Sequence, residues 1–227
     1  LIKFANAKSI KIAETTVIRL GDSMKSSHAM NHSSENKEKI SRREFILSVG
    51  TLEFRKNHIV LLNAYRLLLQ SGVSNIPQLI IVGCQGWMDS DISIQVQNDK
   101  LIHGYIQVLS GVSDSELANL YRDCLFTVYP ALYEGWGLPV SESLGYGKIC
   151  ITSRSSSMVE IAPHLTPFAN PLAPEEWAEQ ISRLINNREL LAKESAKIAS
   201  EYKLTKWATT ASSVLKSLET FSLACHK

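Results

Sequence analysis

The sequence predicts an α/β fold, an open parallel sheet with helices on both faces. From Phe45 onward, short apolar runs alternate with segments of helical periodicity, which is the order of elements in parallel sheets. The chain has 227 residues, of which 44% are hydrophobic and 20% charged, enough to bury the core of such a domain. Together these observations indicate one globular α/β domain with short appendages.

Short apolar runs are predicted as strands, and each is followed by a helix or by a loop that leads into one. Runs of this length, bounded by turn residues, are typical of strands buried in a parallel sheet. The predicted strands span residues 45–49, 78–82, 106–109, 125–129, 149–152 and 167–169.

The first two predicted helices are marked by their ends. Apolar positions repeat with helical spacing over 57–70, and Gly72 is placed to stop this helix. Ser113 and Glu116 have the spacing of a capping box at the start of a second helix.

The later helices follow from proline positions and apolar stripes. Pro139 suits the first turn of a helix that runs to about residue 146 and ends at Gly147. After Pro174 we predict helices to the end of the chain, with apolar stripes at Trp177, Ile181, Leu184 and Ile185, and then at Trp207, Val214 and Leu218.

The chain divides into three predicted segments. Residues 1–21 include a strand-like run at 16–20, which would be an edge strand of the sheet or a remnant of an interdomain region. Residues 22–43 are rich in Ser, Asn, Lys and Glu, so they are predicted to form a flexible linker. Residues 44–222 form the predicted sheet domain with its C-terminal helices.

Composition and charge exclude several classes of protein. A formal net charge of +2 is too small to indicate a nucleic-acid partner. No stretch reaches the roughly 20 apolar residues of a transmembrane segment, and no signal peptide is evident. The cysteines lack metal-ligand spacing, and Cys84, Cys124 and Cys150 lie in or beside apolar runs, so we predict buried, reduced thiols in a cytoplasmic protein.

The segment from Glu134 to Glu142 carries the strongest functional signal. It joins the fourth predicted strand to the helix predicted to begin at Pro139, with glycines at 135 and 137. Open α/β sheets bind ligands at the carboxyl ends of strands, and helix N-termini offer free N–H groups to phosphate. We therefore expect a diphosphate near the amides of Gly137 and Leu138, with the two carboxylates accepting hydrogen bonds from sugar hydroxyls.

This segment is similar to the E-x7-E signature, often EGFGLPxxE, of the retaining GT-B glycosyltransferases called glycosyl transferases group 1. Trp136 stands in place of the usual Phe. The resemblance implies that Glu134 contacts the donor sugar as a catalytic residue and that Glu142 binds the nucleotide ribose. The residues that would contribute backbone contacts to sugar and phosphate are Gly135, Trp136, Gly137 and Leu138.

A second segment, 48–57, resembles the VGxxxxRKN motif of the same family. Gly50 follows the first predicted strand, and the phosphate-binding lysine of the family falls on Lys56. Lys56 and Arg55 are expected to neutralise the departing diphosphate. Thr51 stands where the family often has an arginine, which makes Arg55 a candidate substitute. Without the resemblance, an Arg-Lys pair at the start of a helix would indicate a solvated face.

A third resemblance concerns the nucleotide base. Gly111 and Val112 match the strand-to-helix turn whose backbone lines the base pocket in the family, although an ordinary turn would have the same sequence pattern. Trp87, after the second predicted strand, is expected to pack rather than to stack on a ligand.

Two polar segments are expected to cap helices. Asp89-Ser90-Asp91 has the form of a DxD metal motif, but it lies at the start of a predicted helix, and we expect a cap and no metal site. Ser155-Ser156-Ser157 is expected to cap the following helix, with a diphosphate contact as the alternative.

The matches run in order from about residue 17 to 218 and correspond to the C-terminal, Rossmann-like domain of the family. The resemblance implies transfer of a sugar from a nucleotide-diphosphate donor to a hydroxyl acceptor, with retention, in polysaccharide or glycoconjugate synthesis. No cofactor is implied. GDP-mannose is the first candidate donor, with UDP- and dTDP-sugars as alternatives. A non-catalytic nucleotide-binding module and a sugar-phosphate epimerase are the competing functions.

Family members also have an N-terminal domain that binds the acceptor, and nothing before Phe45 is long enough to form one. We therefore expect this chain to be the donor-binding part, with a saccharide or lipid-linked acceptor held by the missing domain. That domain would also allow peripheral binding at the inner face of the membrane. The chain alone is expected to bind donor weakly and to transfer no sugar.

Overall fold

The computed structural model describes residues 2–12, 15–22, 43–86 and 91–225, with side chains as far as residue 220. The chain forms two compact units. Residues 24–204 are the larger unit, here called the sheet domain, and residues 1–23 with 205–227 are the smaller unit.

The sheet domain contains six strands, and all neighbouring strands are parallel. Their order across the sheet is β3-β2-β1-β4-β5-β6. The first three strands coincide with the predicted ones, and the last three differ by one or two residues at their ends. The strands are β1 (Phe45–Val49), β2 (Gln78–Val82), β3 (Ile106–Leu109), β4 (Thr127–Tyr129), β5 (Cys150–Ser153) and β6 (Phe168–Ala169).

Helices connect the strands, and a 3-10 turn, Phe54–Lys56, precedes the first helix of the sheet domain. The smaller unit contains α1 (Ile2–Ala7) and α9 (Trp207–Cys225). The sheet domain contains α2 (His58–Gln70), α3 (Ile92–Asn98), α4 (Asp114–Asp123), α5 (Leu138–Gly145), α6 (Met158–Ile161), α7 (Pro174–Ile185) and α8 (Arg188–Glu201).

The predicted helix ends are largely confirmed. Ser113 and Glu116 form the complete capping box of α4, and Gly72 and Gly147 adopt left-handed φ angles of 73° and 69° just after α2 and α5. Helix α5 begins one residue earlier than predicted, at Leu138, with Pro139 inside its first turn. Proline is tolerated there because the first-turn amides have no partner within the helix.

The core lies on both faces of the sheet because successive side chains of a strand point to opposite faces. On β1, Ile46 packs in the cluster that contains residues of α2 and α7, whereas Phe45 and Leu47 pack with Leu120 and Tyr121 of α4. The fold class predicted from the sequence, a Rossmann-like parallel sheet with helices on both faces, is therefore confirmed.

The strand order creates a crevice between β1 and β4. From β1 the chain proceeds to β2 and β3 on one side, and it then returns to β4 on the other side. A reversal of this kind leaves an opening at the carboxyl ends of the two central strands, where open α/β sheets bind ligands. The residues that enter it are those directly after β1 and directly after β4.

The smaller unit differs from the prediction. Residues 15–22 contain no strand, so of the two alternatives given for this segment the structure does not show the edge strand. The Val17 side chain is 97% exposed, and the backbone of this segment instead pairs with residues near α9. Thr210 Oγ1 donates to the Arg19 carbonyl at 2.8 Å, and the Asp22 amide donates to the Thr205 carbonyl at 2.9 Å.

Residues 205–222, predicted as part of the sheet domain, cluster instead with the N-terminal segment. The Trp177 stripe is buried as predicted, but the Trp207, Val214 and Leu218 stripe is exposed. Most of the predicted linker, residues 23–42, lies outside the described residues.

Two of the predicted buried thiols are confirmed, and burial raises the pKa of both Cys124 and Cys150 to about 12. The prediction of a buried thiol at Cys84 is wrong. Cys84 is exposed because it lies beyond β2, in the loop that leaves the sheet.

Among the described residues, no helix is both long and apolar enough to cross a membrane.

Gly83 makes the tightest approach between the loops that follow β1 and β2. A Cβ atom on Gly83 would lie 2.0 Å from the Gly50 carbonyl oxygen and 2.8 Å from its carbon. Because these are backbone atoms, we expect Gly83→Ala to lower the free energy of unfolding by about 3 kcal/mol or more, as measured by urea denaturation. In Gly104→Ala the new Cβ meets no atom within 4 Å, so stability should change by less than about 1 kcal/mol. Equal stabilities of the two variants would contradict the prediction.

Candidate functional site

The carboxylate of Glu134 is the centre of the site. Lys56 Nζ and Arg55 Nη1 each lie 2.6 Å from its Oε1 atom, and the Tyr129 hydroxyl donates to the same oxygen at 3.0 Å. Lys56 and Arg55 belong to the turn after β1, whereas Glu134 lies in the loop after β4. The structure therefore brings the three predicted catalytic residues into direct contact across the crevice.

Opposing effects act on the pKa of Glu134. Burial alone would raise this pKa, but hydrogen bonds from Lys56 and Tyr129, together with the charges of Lys56 and Arg55, outweigh burial and lower it. Burial raises the pKa of Tyr129, which keeps its hydroxyl a neutral donor. At neutral pH Glu134 is consequently an ionised acceptor, unsuited to donating a proton.

Arg55 lies at the rim of the site, with 48% of its side chain exposed. Its guanidinium bridges two carboxylates, because Nη2 lies 2.7 Å from Glu53 Oε1. Thr51 Oγ1 donates to that same Glu53 oxygen at 2.8 Å. Thr51 thus binds the Glu53 carboxylate, and that carboxylate in turn positions the Arg55 guanidinium.

His58, at the start of α2, supports the Gly50–Thr51 loop and was not identified from the sequence. Its Nε2 atom lies 3.3 Å from the Gly50 carbonyl oxygen and 3.2 Å from that of Thr51, while Nδ1 lies 3.4 Å from Ser48 Oγ. Burial, aided by the charge of Lys56, lowers the pKa of His58 to about 4. The neutral ring therefore donates from Nε2 to the two carbonyls and accepts from Ser48.

Asn57 joins the loops that follow the two central strands. Its backbone is left-handed, with φ of 57°, and its Nδ2 group donates to the carbonyls of Pro130 and Pro171 at 3.1 and 2.7 Å. The Leu132 amide also donates to the Arg55 carbonyl at 2.8 Å. These contacts fix the distance between the loop after β1 and the loop after β4, and so the distance from Lys56 to Glu134.

Glu142 lies on α5, eight positions after the first glutamate of the motif. The Tyr121 hydroxyl donates to its Oε2 atom at 2.8 Å, and the Tyr121 ring stacks on Tyr146 with centroids 5.3 Å apart. Tyr121 belongs to α4, which follows the turn at Gly111 and Val112. Val112 packs in the same cluster as Tyr121, so the predicted base-binding turn and the predicted ribose-binding acid share one support.

The three serines before α6 do not act as the predicted helix cap. Ser157 occupies the N-cap position but makes no side-chain capping bond. Instead Ser155 Oγ donates to the Leu132 carbonyl at 2.6 Å, and the hydroxyls of Ser156 and Ser157 contact the backbone of Glu134 at 2.9 to 3.0 Å. A run of small polar residues is typical of a cap, and the same residue types also support distant loops, so sequence alone does not distinguish the two roles.

In the other polar segment, Asp91 precedes α3 without the predicted side-chain capping bond. Its backbone has a left-handed φ of 50°, whereas an N-cap residue normally has an extended backbone. Trp87, Asp89 and Ser90 lie outside the described residues. In the part of the chain that is described, no group of three or more His, Cys, Asp or Glu residues is arranged to hold a metal ion.

Comparison with known proteins identifies a family match over most of the chain. The model of the family described as "Glycosyl transferases group 1" matches residues 30–202. The chain is 35% identical over 135 residues to O-antigen chain mannosyltransferase B of Escherichia coli, which covers 60% of this chain and 35% of that protein. It is 26% identical over 168 residues to serotype-specific mannosyltransferase WbdA of Escherichia coli, over 74% of this chain and 21% of that protein. The chain therefore spans well under half of the length of these relatives.

Solved structures share the fold. A sucrose-phosphate synthase from Thermosynechococcus elongatus superposes with a TM-score of 0.71 at 19% identity, covering 98% of this chain and 56% of that chain. TarM superposes with a TM-score of 0.70 at 15% identity, over 96% of this chain and 41% of that chain. Anabaena HepE, solved with UDP-glucose, gives 0.64 at 15% identity, over 81% and 50%. The sheet domain thus has the fold found in GT-B glycosyltransferases.

The pairing of Lys56 with Glu134 can be tested by removing one charge and then both. Glu134→Gln leaves the buried ammonium without its counterion, so we expect the free energy of unfolding to fall by about 1 to 3 kcal/mol. Adding Lys56→Met should recover part of that loss, which urea denaturation in a double-mutant cycle will measure. Glu44→Gln, which removes an exposed ion pair with Arg188, should cost less than about 1 kcal/mol. Additive losses in the double variant would contradict the coupling.

The buried His58 predicts a specific dependence of stability on pH. Between its unfolded pKa of 6.5 and its folded pKa of about 4, the unfolded chain binds a proton that the folded chain excludes. Acidification through this range should therefore lower the free energy of unfolding, by about 3 kcal/mol from this group. Denaturation at several pH values should show that His58→Gln loses this contribution, whereas His164→Gln, at an exposed site, retains it. Parallel pH profiles for the wild type and His58→Gln would disprove the assignment.

Proposed function

The chain belongs to the glycosyl transferases group 1 family, and on that premise we propose that it is the donor-binding part of a retaining glycosyltransferase. The reaction would move a sugar from a nucleotide-diphosphate donor to a hydroxyl acceptor during glycan synthesis. The observation that carries the proposal is the contact of Lys56 and Arg55 with Glu134 at the crevice between β1 and β4. The acceptor would be a saccharide or lipid-linked saccharide bound by a further domain.

In the proposed mechanism the cations act on the leaving group. Negative charge grows on the diphosphate as its bond to the anomeric carbon breaks, and a positioned cation stabilises that charge. Lys56 has 11% of its side chain exposed and already reaches into the crevice. On donor binding its ammonium would turn from the carboxylate toward the diphosphate, and Arg55 would supply a second charge from the rim.

Glu134 would orient the donor sugar. Its three side-chain contacts converge on Oε1, so the carboxylate is anchored through one oxygen while Oε2 is directed elsewhere. An anchored, ionised carboxylate accepts hydrogen bonds from sugar hydroxyls and favours the positive charge that develops at the anomeric carbon.

The nucleotide would lie along α5 toward the end of β3. Glu142, held by Tyr121, would accept hydrogen bonds from the ribose, and the backbone at Gly111 and Val112 would border the base. The relatives named as mannosyltransferases favour GDP-mannose as donor. Because a structural neighbour was solved with UDP-glucose, UDP- and dTDP-sugars are the alternatives to test.

Calorimetric titration of the chain with GDP, UDP and dTDP tests this proposal. We expect one nucleotide to bind with a dissociation constant near a millimolar or below, and Glu142→Ala to weaken it about tenfold, equivalent to about 1.4 kcal/mol. Glu179→Ala, which removes an exposed carboxylate on α7, is the matched control and should leave the affinity unchanged. Absence of binding by all three nucleotides would overturn the proposed role, and equal effects of the two alanine variants would overturn the assignment of Glu142.

A further inference from the structure

We propose that Ser157 is a positioning residue, which aims the amides of Gly135 and Gly137 at the diphosphate of the donor. The inference deepens the proposed function and rests on it. Ser157 would act on the backbone of the loop after β4, whereas Glu134 acts through its side chain.

One hydroxyl clamps two carbonyls of the loop. Ser157 Oγ lies 2.9 Å from the Glu134 carbonyl oxygen and 2.9 Å from that of Trp136, so its single proton is shared between acceptors two residues apart. Ser156 strengthens the clamp, since its Oγ atom accepts from the Glu134 amide at 2.9 Å and lies 3.0 Å from the Glu134 carbonyl oxygen.

Because peptides are planar, fixing the two carbonyls also fixes the direction of the amides that follow them, those of Gly135 and Gly137. In a trans peptide, the C=O and the following N–H point in opposite directions. The carbonyls of Glu134 and Trp136 both face Ser157, so the amides of Gly135 and Gly137 both face away from it. The described peptide bonds include no cis bond, so both of these peptides are trans.

Neither the Gly135 nor the Gly137 amide donates a hydrogen bond to any of the described residues. Gly137 is nevertheless buried, and a buried amide without an acceptor is costly. An acceptor from outside the protein, such as a phosphate oxygen, satisfies this requirement.

Glycine makes the clamp necessary. Gly137 has φ of 94°, a conformation that side chains disfavour, and the glycine at 135 adds further freedom to the same loop. Two freely rotating peptides would lose conformational entropy when the diphosphate binds. Ser157 removes that freedom before the donor arrives, so its loss should weaken the diphosphate contacts while leaving the ribose contacts of Glu142 intact.

The test compares Ser157→Ala with Ser157→Thr, which retains a hydroxyl. Trp136–Gly137 is the only Trp–Gly pair in the chain, so labelling with carbonyl-13C tryptophan and 15N glycine yields one NMR cross-peak, that of the Gly137 amide. Titrations use GDP and GMP, or the diphosphate and monophosphate of whichever base binds, because only the diphosphate reaches the clamped amides.

We expect Ser157→Ala to shift the Gly137 cross-peak without ligand and to weaken GDP binding about tenfold, with GMP affinity changed less than twofold. Ser157→Thr should retain the wild-type cross-peak and affinities. An unmoved cross-peak with unchanged GDP affinity would overturn the inference, as would equal losses for GDP and GMP, which indicate general damage to the site. Failure of the wild type to bind any nucleotide would instead overturn the proposed function, while the ligand-free cross-peak would still report whether Ser157 orients the amide.

Discussion

The joint burial of Lys56 and Glu134 is the constraint on which the rest of the site depends. Each charge would be expensive in the interior without the other, and they come from opposite sides of the crevice. Their loops must therefore be held within hydrogen-bond distance of one another. Polar side chains do this. The buried His58 and Asn57 support the loop after β1, and the half-buried serines at 155–157, which precede α6, support the loop after β4. Most of these supporting side chains contact backbone carbonyl oxygens of the two loops. Apart from the Glu134 amide, which donates to Ser156, the backbone amides of the same loops are therefore not used by the supporting side chains.

The resting ion pair also shapes the binding of a donor. A diphosphate that recruits Lys56 must replace the carboxylate as its partner, so part of the attraction is offset by the broken contact. In the proposed mechanism, Tyr129 and Arg55, which contact the same carboxylate oxygen, would keep Glu134 anchored while Arg55 also faces the diphosphate from the rim. The site would then exchange one anion for another with little reorganisation of the loops that carry it.

The architecture was largely predictable because continuous apolar runs and glycine stops report directly on buried strands and helix ends, as at 45–49, 78–82 and 106–109. Motif resemblance identified Glu134 and Lys56 as residues of one site, but their direct contact was not predicted and emerged only from the structure. His58 was missed because one histidine at the start of an apolar helix has no distinguishing pattern. The serines at 155–157 were misassigned because caps and loop supports use the same residues. The run at 16–20 left an edge strand and an interdomain remnant open because its sequence contains no information on available partners.

The seam between β1 and β4 has a consequence for how the molecule assembles. Leu47 pairs with Thr127, so the two central strands are separated along the chain by the whole of β2, α2, α3, β3 and α4. During synthesis β1 can pair with β2 early, but its other edge stays open until β4 emerges. Closing a loop of this length is entropically slow. The crevice therefore cannot form before β4 has been made, and until then the exposed edge of β1 is vulnerable to mispairing.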